Sequence, residues 1–211
     1  AAQTWTITSG SGASAWYVDP QATGSGTGTS WANAWTSPAS IAWASVRPGD
    51  TVYFSGGSTS QTYTTSFTVG ASGTSGSPIV LAPGTDPGHA GQVVFDFNAD
   101  GDSATRTAVN LGSRNHVTVR GDVGGVSHWQ INNLRNTGTA TASAGIAGSG
   151  NTGITIRGVS FDNDNNPIRL TSSPGGNLVT ANVMTRVRGD AAVAMAGSSG
   201  GLDSTTVSGN T

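Results

Sequence analysis

TAVNLGSRNHVTVRG, residues 107–121, joins a short alternating apolar segment to a second one through a corner rich in Gly, Ser and Asn. The same order recurs in AGIAGSGNTGITIRG at 144–158, PIRLTSSPGGNLVTAN at 167–182 and AVAMAGSSGGLDSTTVSGN at 192–210. Aligning Val109, Ile146, Ile168 and Val193 as equivalent positions gives intervals of 37, 22 and 25 residues. A repeat of about 22 residues with loop insertions is typical of one coil of a solenoid.

Within the repeats, apolar and polar residues alternate as they do in a strand with one buried face. Val117 and Val119 are predicted to point inward and Thr118 and Arg120 outward, and ITIRG at 154–158 follows the same pattern. Before the repeats, further strands are predicted at 51–54, 67–69, 78–81 and 93–95.

Composition favours strands and turns over helices. Among the 211 residues, all nine cations are arginine and all eleven anions are aspartate, so Lys and Glu, two good helix formers, are absent. The 32 glycines fit a chain with many tight corners. Without lysine, the chain has no ammonium group to act as a base, a Schiff-base former or a phosphate clamp.

Several classes of partner are disfavoured. A net charge of −2 with no basic run argues against nucleic acid. No stretch approaches 18 apolar residues, so no membrane span is predicted. The absence of cysteine excludes disulfides and thiolate metal sites. The Gly-rich stretches lack phosphate-cradle spacing, so neither a nucleotide nor haem is expected as a cofactor.

The N-terminal region, residues 1–50, is predicted to hold two short strands and a cap, and residues 51–211 the coils. SPASIAWASV at 37–46 is expected to form a short capping helix with Ser37 as its N-cap and Pro38 in its first turn. Because the chain starts at Ala1, removal of a signal peptide or excision from a longer chain is expected. A secreted, extracellular or virion-surface location follows from the first of these.

Six phrases carry a family resemblance: TSWANAW at 29–35, RPGDTVYF at 47–54, GTSGSPIVL at 73–81, VVFD at 93–96, NHVTVRG at 115–121 and GITIRGVSF at 153–161. From about Trp16 onward the chain resembles the N-terminal portion of right-handed parallel β-helix proteins of the pectate-lyase-like superfamily. The resemblance implies an all-β fold, a right-handed parallel β-helix. It implies no single activity, because polysaccharide lyases, glycoside hydrolases, epimerases, phage tailspikes and adhesins share these phrases.

Such proteins usually continue for several coils and end in a cap. Residues 205–211 lie in the middle of a coil, so the last strand would expose unpaired backbone groups. Missing residues, another subunit or the next copy in a fibre are expected to cover that end.

Arg120 and Arg157 occupy the same place in two repeats, so in adjacent coils their side chains would leave one sheet about 4.8 Å apart. Two like charges that close require an anion, an aspartate or solvent between them. One hypothesis is that they bind carboxylates or sulfates of a polymer. The other is that they are surface residues paired with neighbours such as Asp122.

Asp96, Asn98, Asp100 and Asp102 match the first half of a DxNxDG calcium loop. The twelfth position, where an EF-hand has a bidentate Glu, is Thr107, so the motif is incomplete. A calcium site and an Asp-rich turn therefore remain as alternatives.

A second polar cluster is predicted where Asp162 and Asp164 would lie one coil from Arg186 and Arg188. The resemblance implies that acidic residues can hold calcium against a uronate carboxylate while a basic residue removes the adjacent proton. Here that base would have to be an arginine, a histidine or a tyrosine, and an arginine would need a strongly lowered pKa. Acid–base work in glycoside hydrolysis and a solvated turn are the alternatives.

His128 and Trp129 lie in the insertion that lengthens the interval between Val109 and Ile146 to 37 residues, and both are candidate substrate-binding residues. The indole of Trp129 could stack on a sugar ring, or it could fold back over the coil beneath.

Together these patterns predict that the outer face of the β-helix binds an extracellular acidic polysaccharide. If the chain is an enzyme, β-elimination is the first reaction to test and glycoside hydrolysis the second. The alternative is a non-catalytic structural or adhesive β-helix, such as a tailspike shaft or a fibre subunit.

Overall fold

Three parallel sheets form the molecule, and the chain visits them in the same order in each coil. The computed structural model describes residues 12–97, 106–134, 143–189, 191–197 and 205–211. Sheet 1 contains β1 (Ala15–Val18), β2 (Thr51–Phe54), β5 (Ile79–Pro83), β8 (Val117–Arg120), β13 (Thr155–Arg157), β16 (Leu178–Thr180) and β19 (Thr206–Ser208). Sheet 2 contains β3 (Ser60–Tyr63), β6 (Gln92–Asp96), β11 (Trp129–Asn132), β14 (Val159–Asp162) and β17 (Val183–Thr185). Sheet 3 contains β4 (Phe67–Thr68), β7 (Thr107–Gly112), β12 (Ala144–Ser149), β15 (Asn166–Ser173) and β18 (Val193–Gly197).

The strand order shows a parallel β-helix. Successive coils are β2-β3-β4, β5-β6-β7, β8-β11-β12, β13-β14-β15 and β16-β17-β18, and each strand pairs with its equivalent in the next coil. Among the named strands, the antiparallel hairpin of β9 (Asp122–Val123) and β10 (Val126–Ser127) is the exception. The right-handed sense of the winding stays a prediction from the general preference of parallel crossovers.

The register confirms the alignment of the repeats. Val109, Ile146, Ile168 and Val193 pair in sequence across sheet 3. An insertion lengthens the first interval, as predicted, but Trp129 lies outside it because this residue begins β11. Among the described residues, the β9–β10 hairpin supplies extra length at this coil.

Apolar side chains from all three sheets fill the interior. One inward column of sheet 1 runs through Val52, Leu81, Val119, Ile156 and Val179, all fully buried. Burying each such side chain contributes about 1.5–3 kcal/mol relative to leaving it exposed. The predicted alternation in the 117–120 and 154–157 segments is therefore confirmed.

Asparagines at successive corners join the coils. The Asn182 side chain accepts from Val159 N at 3.0 Å and donates to Ile156 O at 3.0 Å. Asn177 likewise accepts from Ile154 N at 2.9 Å. These amides satisfy backbone groups that a tight corner leaves without a partner in the sheet.

The predicted capping helix is wrong in extent. The structure has a single 3₁₀ turn at Pro38–Ser40, where Ser37 acts as the N-cap, followed by a chain of turns. Ile41 leaves the helical region with ψ at 120°, and Ile41 and Val46 are buried separately at the end of the core. A helix this short is marginal in water. The conformation of the segment after Ser40 is therefore decided by the burial of Ile41 and Val46 at separate places. In the described residues no helix is long and apolar enough to span a bilayer.

Candidate functional site

Arg120 and Arg157 are cross-strand neighbours on the outer face of sheet 1, as their positions in the repeat predict. Asp122 accepts from both Nε and Nη2 of Arg157, at 2.9 and 2.8 Å. This bidentate pair uses both carboxylate oxygens, so Asp122 neutralises Arg157 and leaves Arg120 without a carboxylate partner among the described residues. The Nε of Arg120 is buried and has no hydrogen-bond partner in that part of the chain.

Trp129 belongs to the interior. Its side chain is fully buried, and its ring stacks on Phe95 with centroids 5.7 Å apart and contacts Phe54 at 4.9 Å. No ring face is left for a sugar, so the prediction that Trp129 binds substrate is wrong. Its neighbour His128 is half-buried at the corner before β11, and its Nδ1 is buried without a hydrogen-bond partner.

The predicted catalytic cluster does come together at the corner between sheets 2 and 3. Asp162 accepts from the Arg186 guanidinium with both oxygens and from Thr185 Oγ1 at 2.8 Å. The hydrogen bond from Arg186 lowers the pKa of Asp162. The carboxylate of Asp162 is therefore ionised and already paired, which makes it a poor proton acceptor.

Asp164 is fully buried two residues further on. Burial raises the pKa of its carboxyl well above the ordinary value, against the opposing effect of a 2.8 Å hydrogen bond from Leu134 N. The negative charges of Asp162 and Asp96 raise the pKa further. Its second oxygen is buried and has no hydrogen-bond partner. A group without solvent exposure cannot contact a polymer, so this position favours a structural role for Asp164.

Arg188 ends a polar ladder along the same corner. Its Nε donates to Asn163 Oδ1, Asn163 donates to Asn133 at 2.7 Å, and Asn133 donates to Asp96 at 2.9 Å. Asn133 and Asn163 both have φ of 61°, a left-handed conformation that asparagine tolerates well. The ladder links four successive coils through side chains alone.

Only part of the predicted calcium loop lies among the described residues. Of its residues, Asp96 is described, whereas Asn98, Asp100 and Asp102 lie outside the described residues. Within the ranges that are described, no group of three or more acidic or histidine side chains is arranged to hold a metal ion. Calcium binding by this loop stays a prediction.

A groove on the outer face of sheet 3 was not anticipated from the sequence. At its N-terminal end is a hollow of about 580 Å³ that Trp43, Arg106 and Asn110 line. A second hollow of about 380 Å³ continues to Arg169 and shares Asn110 with the first. We call this surface the sheet-3 groove and define it by Trp43, Arg106, Thr107, Asn110, Ala147, Arg169 and Thr171.

The groove wall is fixed at its aromatic end. The Trp43 ring is nearly parallel to that of Phe67, with centroids 6.5 Å apart. It also lies against Gly70, where an added Cβ would come within 2.6 Å of the indole. The ring is only partly buried, so it presents apolar surface to the groove.

Arg169 stands at the other end of the groove. The outward column of sheet 3 runs Thr68, Asn110, Ala147, Arg169 and Ala194, so its neighbours on both sides are alanines. Arg169 is half-buried, and its guanidinium makes no hydrogen bond or ion pair with any described residue. Asn110, which lines both hollows, uses its Oδ1 to accept from Gly112 N at 2.9 Å.

The sequence did contain a signal for Arg169. It follows Ile168, which the alignment assigns to an inward column, so strand alternation directs Arg169 outward. The sequence could not show that no carboxylate from the described residues pairs with Arg169.

Comparison with known proteins gives the fold. No family model and no curated protein sequence matches the chain. A GH136 lacto-N-biosidase from Eubacterium ramulus aligns with a TM-score of 0.53 and 12% identity, over 82% of this chain and 34% of that one. A structure named as a rhamnogalacturonan lyase aligns with a TM-score of 0.50 and 12% identity, over 88% of this chain and 62% of that one. The pectate lyase Pel9A aligns with a TM-score of 0.49 and 18% identity, over 82% of this chain and 48% of that one.

This chain shares its fold with the lacto-N-biosidase and the rhamnogalacturonan lyase, in agreement with the parallel β-helix that its strand order shows. The predicted parallel β-helix fold is thus confirmed. The chain spans between about a third and just under two thirds of the length of the matched structures. At such low identity the match carries neither substrate nor reaction to the β-helix described here.

Proposed function

We propose that this β-helix binds an acidic polysaccharide in the sheet-3 groove. The observation that carries the proposal is the Arg169 guanidinium, which is half-buried and faces the groove without an acceptor from the described residues. A charged donor in that setting gains most from an anionic ligand, because a charge-assisted hydrogen bond is about twice as strong as a neutral one.

The rest of the groove suits a sugar polymer. Trp43 offers an apolar ring surface, and Asn110, Thr107 and Thr171 offer amide and hydroxyl groups. Since the groove crosses several strands about 4.8 Å apart, a ligand would lie along the axis of the solenoid. The fold is also the one that a rhamnogalacturonan lyase and a lacto-N-biosidase adopt. We place this activity outside the cell or on a virion surface, where such polymers are met.

Cleavage by β-elimination is the reaction that fits this arrangement first. A base removes the proton next to the carboxyl group, a carbon–carbon double bond forms, and the bond to the glycosidic oxygen breaks. That oxygen leaves with the electron pair and takes a proton from solvent. A guanidinium bound to that carboxylate would make the proton more acidic. In this proposal Arg169 neutralises the carboxylate and another group acts as the base. The non-catalytic alternative, a tailspike shaft or fibre subunit, would use the groove for adhesion.

Titration calorimetry with polygalacturonate, alginate and chondroitin sulfate tests the proposal, with neutral dextran as the control ligand. Arg169→Gln should weaken binding by about 10- to 100-fold, the loss expected for a charged hydrogen bond. The matched control is Arg114→Gln, which removes the same charge from an exposed corner outside the groove and should change affinity less than about twofold.

Binding of no acidic polymer, or equal binding by Arg169→Gln and the wild type, would refute the proposal. Ultraviolet absorbance of new unsaturated uronates, read with calcium and with a chelator, separates cleavage from adhesion in the same samples.

A further inference from the structure

Three aromatic rings lie together on the outer face of sheet 1, away from the sheet-3 groove. Tyr17 and Tyr53 are cross-strand neighbours whose rings stack with centroids 6.0 Å apart. Trp31 meets Tyr17 edge-on at 4.7 Å. Each ring is half-buried and so keeps part of its surface in solvent. We call Tyr17, Trp31 and Tyr53 the aromatic shelf.

The shelf is held in place before any ligand arrives. Trp31 stacks on His89 with centroids 4.0 Å apart and an interplanar angle of 8°. Its indole N–H donates to Asp86 at 2.7 Å. Beneath it lies Gly84, where an added Cβ would come within 2.9 Å of the ring. Such fixed aromatic surfaces bind with little loss of side-chain entropy.

The outward column that contains the two tyrosines leads to Arg120. Tyr53 pairs with Ala82, and the register of the next strand pair places Arg120 beside Ala82. Three strand steps therefore separate Tyr17 from Arg120, a distance of about 14 Å. Beyond Arg120 the column continues through Arg157 and Thr180, and Asp122 neutralises Arg157. Among the described residues, Arg120 is therefore left without a carboxylate partner, and its buried Nε has no hydrogen-bond partner there.

We infer that the aromatic shelf and Arg120 form a second carbohydrate-binding site, for a short oligosaccharide that carries a carboxylate or sulfate. The apolar face of a sugar ring packs on Tyr53, and the anionic group accepts hydrogen bonds from Arg120. The oligosaccharide runs along the solenoid axis, across the strands. The site shares no residue with the sheet-3 groove, so it does not depend on the function proposed for that groove.

The test uses the full chain carrying Arg169→Gln, which weakens the groove, and trigalacturonate as the probe. Residual binding should remain, and Arg120→Gln and Tyr53→Leu should each weaken it by about 10-fold or more. Tyr53→Leu keeps an apolar side chain and so protects the fold. Tyr53→Phe keeps the ring, and Arg114→Gln removes a distant charge, so both should stay within about twofold.

Loss of all binding in the Arg169→Gln chain would overturn the inference, as would residual binding that neither Arg120→Gln nor Tyr53→Leu weakens. Neutral maltotriose should bind at least about 10-fold more weakly than trigalacturonate, and equal affinity would remove Arg120 from the site. The two proposals fail separately. If Arg169→Gln alone leaves binding unchanged, the groove proposal fails, whereas the sheet-1 variants still decide the second site.

Discussion

The corner between sheets 2 and 3 and the outer face of sheet 3 are adjacent, yet they treat charge in opposite ways. At the corner, Asp162 is matched by Arg186, and burial favours the neutral form of Asp164. On the sheet face, Arg169 has alanines on both sides in its column and no protein acceptor among the described residues. Charges that the fold has already paired hold the coils together. A charge that the fold leaves unpaired is available to a ligand.

The same contrast separates two arginines in one column. Arg157 and Arg120 are neighbours in register, but Asp122 reaches only Arg157 with both of its oxygens. Residue type alone therefore does not identify a binding arginine in this solenoid. The position of the nearest aspartate does.

The largest effect is expected in the interior, where buried side chains such as Trp129 are not available to a ligand. Trp129→Ala should reduce the free energy of unfolding by about 3–5 kcal/mol, because it removes a buried indole from a cluster with Phe95 and Phe54. Denaturant titration measures this. Val126→Ala, at a hairpin position that is 61% exposed, should stay within about 0.5 kcal/mol.

If Trp129 instead acts in binding, Trp129→Phe would keep the fold and lose affinity for acidic polymers. We expect the reverse, with unchanged affinity and lower stability.

The next test gives Arg169 a carboxylate partner within the sheet-3 groove, like the partner that Arg186 has at the corner. Ala147 is the cross-strand neighbour of Arg169, so Ala147→Asp should place a carboxylate within reach of the guanidinium and compete with the ligand. Affinity for polygalacturonate should fall by about 10- to 100-fold. Ala147→Asn has the same shape without the charge and should cost much less. Equal losses in the two variants would show that crowding, and not charge, explains the effect.

The fold was largely predictable, because the repeat of alternating strands and Asn-rich corners is a local signal. The interval between Val109 and Ile146 differs from the later ones, yet the register follows the predicted alignment. The capping helix was not predictable in this way. Its extent depends on where Ile41 and Val46 find burial at the end of the core, which is a tertiary effect.

The candidate site was predictable only in part. Strand periodicity places Arg120 and Arg157 together, and it directs Arg169 outward. Whether an arginine is free depends on side chains from other coils, such as Asp122 reaching Arg157. For the same reason the sequence could not show that Asp164 is buried, or that Trp129 begins β11 with its side chain in the core.

The pH dependence of stability tests the corner between sheets 2 and 3, with a smaller expected effect. The raised pKa of Asp164 means that its contribution to stability is complete below the unfolded pKa of about 3.9 and is lost as pH rises through the folded pKa. Asp164→Asn should therefore raise Tm at neutral pH by about 2–4 °C, the shift that 1 kcal/mol causes in a domain of this size. The gain should disappear in acid. Thermal melts from acid to neutral pH measure the difference.

Asp162→Asn is the matched variant, because its effect has the opposite sign. Arg186 lowers the pKa of Asp162, so this carboxylate stabilises the fold above its unfolded pKa and the stabilisation is lost as pH falls through the folded pKa. The variant should lose a little stability at neutral pH and none in strong acid. Parallel pH profiles for Asp164→Asn and Asp162→Asn would contradict the assignment of one buried neutral acid and one paired carboxylate.

The smallest effect should come from releasing the paired arginine of sheet 1. Asp122→Asn removes the carboxylate that engages Arg157 and leaves two uncompensated guanidiniums about 4.8 Å apart in the column. Binding of trigalacturonate by a chain carrying Arg169→Gln should then strengthen by about two- to fivefold, since a second cation can reach the ligand and an exposed ion pair is worth little to the fold. Raising the salt concentration should reduce the gain. If Asp122→Asn instead weakens binding, the bidentate pair serves to orient the site. On sheet 1, charges that the fold has already paired would then contribute to ligand binding.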